Sequence, residues 1–242
     1  MIPSYASGFA RFAAESERPE LWHGFIGAFA PALGCTGAIL PDLSRGGRAT
    51  VVNGSWAVNN FGSAIQFNGS STLINCNRSV FFGTGDFSYI FALRTGAITS
   101  GQYLYHQHRV GGEYHYIFIG TSVIQVKIVF ASVFLQSTET LASNTTQTLI
   151  LTRRGGIGNL WINGINKTNR ASSIANDAAV DTGNTILGTY GSTWFDGAIN
   201  MFTAYNRALV DSEIQETSAD PLGMFRLKSD IYNINNNFLQ IF

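Results

Sequence analysis

The chain has 242 residues, 45% of them hydrophobic but only 12% charged, and its 15 basic and 15 acidic residues cancel. A charged share about half that of an ordinary soluble domain leaves Ser, Thr, Asn, Gln and Gly to make the surface, and such a surface meets neutral sugars or protein neighbours at little desolvation cost. There is no basic block, which argues against nucleic acid as a partner, and no segment approaches the roughly 20 apolar residues of a membrane span.

Residues 1–34 read as an extended N-terminal arm. Met1 to Gly8 lacks the charged start and apolar run of a secretory signal. Ala10 to Ser16 offers one or two helical turns, and Pro19 and Pro31 punctuate the rest. Residues 35–220 then carry strand signals at short, regular spacing: Ala64 to Phe67, Ser71 to Ile74, Phe87 to Leu93, Gln102 to Val110, Glu113 to Gly120, Val123 to Phe130, Thr148 to Thr152, Asn159 to Ile162, Thr185 to Leu187 and Ile199 to Tyr205. Each is rich in β-branched or aromatic residues and is separated from the next by Gly, Asn or Ser. Strands without intervening helices predict an all-β sandwich or barrel. One short C-terminal helix is predicted over Asp211 to Ser218, with acidic residues early and Pro221 just beyond. Residues 221–242 form a tail ending on Phe238-Leu239-Gln240-Ile241-Phe242. The arm is expected to lie on the sandwich or on a neighbouring chain, and Phe9, Phe12 and Trp22 within it, with Phe238 and Phe242 in the tail, are the expected assembly residues, because large apolar side chains are not left in water.

Two constellations stand out along Gln102 to Gly120. Gly111-Gly112 reads as a two-residue turn, which pairs His108 with His115 and sets His106 two residues along on the same face. That trio reads as a zinc or nickel ligand set, as a polar strand face, or as three histidines at an interface. A one-residue change of register would scatter it. The opposite face then carries Tyr105, Gln107, Arg109, Tyr114, Tyr116 and Phe118. Rings beside Gln and Arg suit a sugar platform, and equally core packing or a protein interface. A glycoside hydrolase would need two carboxylates about 5–9 Å apart, and the Glu residues form no such strand pattern. Cys35 and Cys76 read as one disulfide or as two buried thiols. The sequons at Asn53, Asn68, Asn77, Asn144 and Asn166 read as turn and strand chemistry.

Several motifs resemble those of laminin-G-like jelly rolls of the concanavalin A-like lectin/glucanase superfamily. Gly197-Ala198-Ile199 runs into Tyr205-Asn206-Arg207-Ala208-Leu209 and Glu213-Ile214, which is similar to that family's closing strand and helix. Trp161-Ile162-Asn163-Gly164, Ala64 to Ser70 and Pro41 to Gly47 are similar to three further landmarks, in the family's order. The resemblance implies a jelly-roll β-sandwich over residues 35–220. It also raises a calcium site, but Asn68, Asn200 and Met201 stand where many relatives carry carboxylates, and calcium wants several charged oxygens. The expectation is therefore no cofactor, with calcium as the alternative. Val210 replaces the usual Ser or Thr cap, which makes Asp211 the expected one.

Glu17 to Pro31 and Asp220 to Arg226 further resemble the leader and exit of members from phages and marine bacteria. This second resemblance implies a non-enzymatic virion surface component, a capsid decoration, fibre or tail domain made in a bacterial cytoplasm. Such a protein would be oligomeric or lattice-bound through other virion or self subunits. The alternatives are an extracellular carbohydrate-binding module for surface glycans and a glycoside hydrolase on the same fold.

Overall fold

A computed structural model describes residues 16–33, 37–44, 47–79, 85–108, 114–127, 135–171 and 183–226. Strands are numbered along the chain. One eight-stranded sheet runs β14 (Ile165–Asn166), β13 (Ile157–Ile162), β12 (Thr146–Arg154), β7 (Phe87–Thr95), β19 (Asp196–Tyr205), β5 (Gly62–Asn68), β4 (Ser55–Asn59), and β1 (Phe25–Phe29) also pairs with β19. A nine-stranded sheet runs β15 (Thr168–Ala171), β11 (Leu135–Ser137), β10 (Ile124–Lys127), β9 (Tyr114–Ile119), β8 (Gln102–His108), β16 (Thr185–Leu187), β6 (Leu73–Asn75), β3 (Arg48–Val52), β2 (Ile39–Pro41). A small hairpin of β17 (Thr189–Tyr190) and β18 (Thr193–Trp194) follows β16. The one α-helix among the described residues, α1, is Asp211–Ala219. This is the mostly-β jelly-roll sandwich that the strand spacing and closing motif predicted.

The core lies between the two sheets. β7 sends Phe87, Tyr89, Phe91 and Leu93 inward, and β12 sets Leu149 and Leu151 beside them through the Leu149–Phe91 and Leu151–Tyr89 pairs. Phe202 stacks on Phe91 at 4.8 Å between ring centroids. The nine-stranded sheet answers with Leu104, Tyr105, Ile117, Ile119, Ile124, Val126 and Leu187. Alternate residues on each strand thus supply the apolar face that the sandwich requires.

The eight-stranded sheet has a second, smaller core on its other face. Ile90, Ala92, Ile150, Met201 and Tyr205 are covered there by Leu21, Trp22, Phe25, Leu209, Ile214, Met224 and Phe225. β1 therefore buries both faces, and its Phe-Ile-Gly-Ala-Phe carries no alternation to read. This is why Phe25–Phe29 gave no strand signal in the arm. β19 changes partner along one edge: Asp196 to Ile199 pair with β5, and Phe202 to Tyr205 with β1. A bulge between Ile199 and Met201 marks the change. There the Asn200 amide nitrogen donates to the carbonyls of Gly62 (3.1 Å) and Ser63 (2.9 Å), while its oxygen accepts from Asn59 (2.8 Å).

Arg207 locks the closing motif. It makes a bidentate pair with Glu213 (2.7 and 2.6 Å) and donates to the carbonyl of His23 (2.7 Å). Glu213 also accepts from the Val210 amide at 2.8 Å. Val210, not Asp211, is the N-cap, because Glu213 reaches back and takes over what a capping hydroxyl would do. The turns follow the sequence. Asn163 and Gly164 both have positive φ (49° and 77°), as a type I′ hairpin demands. Asn53, Asn77 and Asn144 adopt the left-handed conformation too, a reason for Asn at three of the sequons.

Candidate functional site

The outer face of the nine-stranded sheet carries a cluster of rings. Tyr103, Tyr116, Phe118, Tyr190 and His106 are all half-buried. Tyr103 lies 4.9 Å from Phe118, 5.2 Å from Tyr116 and 5.1 Å from Tyr190 between centroids. Tyr190 lies 5.0 Å from His106 and stacks on Tyr116 at 6.4 Å. The β17–β18 hairpin brings Tyr190 over the sheet. The ring of Phe118 lies against Gly101, where a Cβ would come within 2.0 Å of it. Around the rings the same face presents neutral polar groups: Gln125 is paired with Phe118, and Asn75 joins His106 through Ile186.

Two departures from regular alternation build this face. A bulge between Tyr103 and Tyr105 puts Leu104 and Tyr105 both inward, so Tyr103 and His106 emerge on the same side. The β8–β9 register pairs His108 with Tyr114, Gln107 with His115 and His106 with Tyr116. That is one residue away from the register expected from a Gly111-Gly112 turn, and it re-sorts both predicted constellations. His115 is buried beside Gln107 on the inner face, whereas His106 points outward, so the histidine trio does not gather. Among the described residues no group of three His, Cys, Asp or Glu could hold a metal. Tyr105 and Gln107 are core residues. The Tyr105 hydroxyl donates to Gln107 Oε1 (2.8 Å), Thr185 donates to the same oxygen (3.0 Å), and Gln107 Nε2 donates to Ser79 (2.6 Å). Tyr116 shares a face with Phe118, as parity along β9 predicts, and that face is the outer one. The side chains of His108 and Tyr114, and all of Arg109, lie outside the described residues. Of the expected assembly residues, Trp22 packs within its own chain, its indole donating to the Met224 carbonyl at 3.0 Å. Phe9, Phe12, Phe238 and Phe242 lie outside the described residues. Sequence reasoning missed Tyr103 and Tyr190. A bulge shifts the parity of the first, and the second comes from a hairpin remote in sequence.

The face is electrically quiet. Burial raises the Tyr103 and Tyr116 phenols above the usual tyrosine range, and a neighbouring phenol adds to each. Both stay neutral and keep an O–H to donate. Four of the described carboxylates are held in ion pairs elsewhere: Asp42 with Arg78, Glu139 with Lys167, Glu216 with Arg18, Glu213 with Arg207. The positions compared with a calcium site do not fit the ion. Asn68 Oδ1 accepts the amides of Ser70, Ser71 and Thr72, Asn200 is committed to the β4–β5 end, and Met201 is in the second core.

Among solved structures, a Trypanosoma rangeli sialidase in complex with 2,3-difluorosialic acid is similar over 90% of this chain, with a TM-score of 0.68 and 13% identity. The chain spans 38% of that sialidase. Domain 4 of AbnA, an extracellular arabinanase from Geobacillus stearothermophilus in complex with arabinotriose, is similar over 80% of this chain and 98% of its own, with a TM-score of 0.58 and 13% identity. The binding domain of Paraclostridial Mosquitocidal Protein 1 matches 81% of this chain and 52% of its own, with a TM-score of 0.57 and 15% identity. No curated protein sequence matches the chain. At such identities these structures share the fold. They correct the expectation of a virion surface component: the neighbours are a sialidase, a domain of a glycan-degrading enzyme and a toxin's binding domain. The resemblance of the arm and exit to phage members rested on two short segments, whose apolar residues serve the second core of this chain. In sequence, residues 68–215 match the family model of the concanavalin A-like lectin/glucanases superfamily, and the chain belongs to it.

Proposed function

We propose that this domain binds neutral glycans through the outer face of its nine-stranded sheet. The observation that carries the reading is the cluster of Tyr103, Tyr116, Phe118 and Tyr190 with His106, half-buried and ringed by neutral polar groups. Sugar rings present apolar C–H faces to aromatic planes, and their hydroxyls need directional donors and acceptors. Neutral phenols beside Gln125 and Asn75 supply both. That the arabinanase domain of the same fold was solved with arabinotriose supports the reading.

Binding is proposed without catalysis. No carboxylate among the described residues stands on this face, and hydrolysis by the usual route needs two. A tyrosine nucleophile, the alternative in some glycosidases, is favoured by a lowered pKa or an adjacent base. Here the phenols are shifted upward.

A glycan array probed with the full chain, followed by calorimetry on the best neutral oligosaccharide, tests this. Tyr116→Ala and Tyr190→Ala should each weaken binding about 10-fold, the loss of roughly 1.4 kcal/mol of stacking. Binding to no array member, or binding that both variants leave intact, would overturn it.

A further inference from the structure

The second core covers only part of the outer face of the eight-stranded sheet. Its cover reaches Met201 and Ala92. One step further along the strands the face is open, and a cavity of about 510 Å³ lies there. That volume is within the roughly 300–1,000 Å³ of small-molecule sites. Ala57 and Ala198 give it a shallow apolar floor, and Gln66, Asn60 and Asn144 bring amides to its walls. The wall is braced: Asn59 Nδ2 donates to Asn200 Oδ1 (2.8 Å), and Asn200 holds the Gly62 and Ser63 carbonyls.

One charged side chain lines this cavity, Arg94. Register gives it Ala198 on one side and Thr146 on the other, neither of them acidic. Among the described residues it forms no salt bridge. The nearest carboxylate in register, Asp196, sits over Gly96 and makes no bridge to it. Gln66 spends its amide nitrogen on the Phe67 and Gly197 carbonyls, both at 2.9 Å. Arg78, Arg153, Arg154 and Arg207 are each tied to a carboxylate or a carbonyl, whereas Arg94 stands in an open, amide-lined depression. A guanidinium matches a carboxylate fork to fork, and surrounding amides and hydroxyls match sugar hydroxyls.

We infer that this cavity is a second site, separate from the ring cluster, that takes an acidic sugar unit with its carboxylate on Arg94. It does not rest on the ring-cluster reading, since the two faces belong to different sheets.

The test uses the full chain, a galacturonate trisaccharide and its neutral methyl ester, followed by NMR or calorimetry. The free acid should bind and the ester at least about 10-fold more weakly, the loss expected for one charge-assisted pair. Arg94→Gln should weaken the acid by the same factor with an unchanged melting temperature. Ala57→Trp, which fills the floor without touching the charge, should weaken both ligands. Tyr116→Ala should leave acid binding unaltered. No binding of the acid at millimolar concentration overturns the proposal, as do equal affinities for acid and ester, or acid binding that survives Arg94→Gln. Acid binding lost in Tyr116→Ala but kept in Arg94→Gln would overturn it in favour of the ring cluster.

Discussion

Replacing Glu213 by Gln removes one charge from the pair that ties the closing strand to α1. Arg207 and Glu213 meet through two bonds of 2.7 and 2.6 Å, and their side chains are only 20% and 11% exposed. Breaking a fully buried pair costs about 3–5 kcal/mol, whereas an exposed pair is worth about 0–1 kcal/mol. The intermediate exposure, and the oxygen that Gln retains for the Val210 amide, place the cost at about 2 kcal/mol. For a chain of this length that lowers the melting temperature by about 4–8 °C. The cost must also depend on pH. Burial pushes the Glu213 carboxyl up, but the Arg207 hydrogen bonds, the Val210 amide and the Arg207 charge together hold it below its ordinary value. A carboxyl depressed in the folded state stabilises above its unfolded pKa, about 4.3, and loses that contribution as pH falls through the lower folded value. Urea unfolding of both proteins at about pH 7 and about pH 3 measures this. The gap should be full at the higher pH and smaller at the lower. An equal gap at both would refute an electrostatic origin.

Two further perturbations probe the interior. Burial pushes the Cys76 thiol far up, Arg78 opposing and Asp42 reinforcing the effect. In a Cys35→Ser chain, Cys76 should therefore resist an aromatic disulfide reagent when folded and react fully in denaturant; rapid labelling of the folded chain would contradict that burial. Gln107→Leu strips the partner from the Tyr105 and Thr185 hydroxyls and should destabilise by about 3 kcal/mol, yet leave neutral glycan binding unchanged. Lost binding in a folded Gln107→Leu chain would return the site to the inner face.

The sandwich was legible because its signals are local. Ile199 to Tyr205, the Asn163-Gly164 turn and the Glu213 helix each carry their own chemistry within a few residues. β1 was not, since a strand buried on both faces has no alternation. The site was legible only in half. Tyr116 and Phe118 share a face by simple parity along β9, and that much held. Which β8 residues join them depends on an extra residue at Leu104 and on the number of residues between His108 and Tyr114. Parity turns on a single residue: the register at the turn set His106 rather than Gln107 opposite Tyr116, and the bulge then set Tyr103 opposite Phe118. Tyr190 arrives through tertiary packing alone. Asn200 shows the converse. Read as a lost calcium ligand, it is the one side chain that donates to two carbonyls where β19 changes partner, which a carboxylate cannot do.

β19 is near the end of the described chain, yet it sits in the middle of its sheet, with β7 on one edge and β5 and β1 on the other. Phe29 must wait for Phe202, and Phe67 for Gly197, before either finds its neighbour. Closing such long loops comes before the contacts that reward it. The strands made first therefore spend synthesis with open edges, exposed to pairing with the wrong chain. The sparing use of charge that suits a sugar-binding surface also leaves those edges with few charged guards.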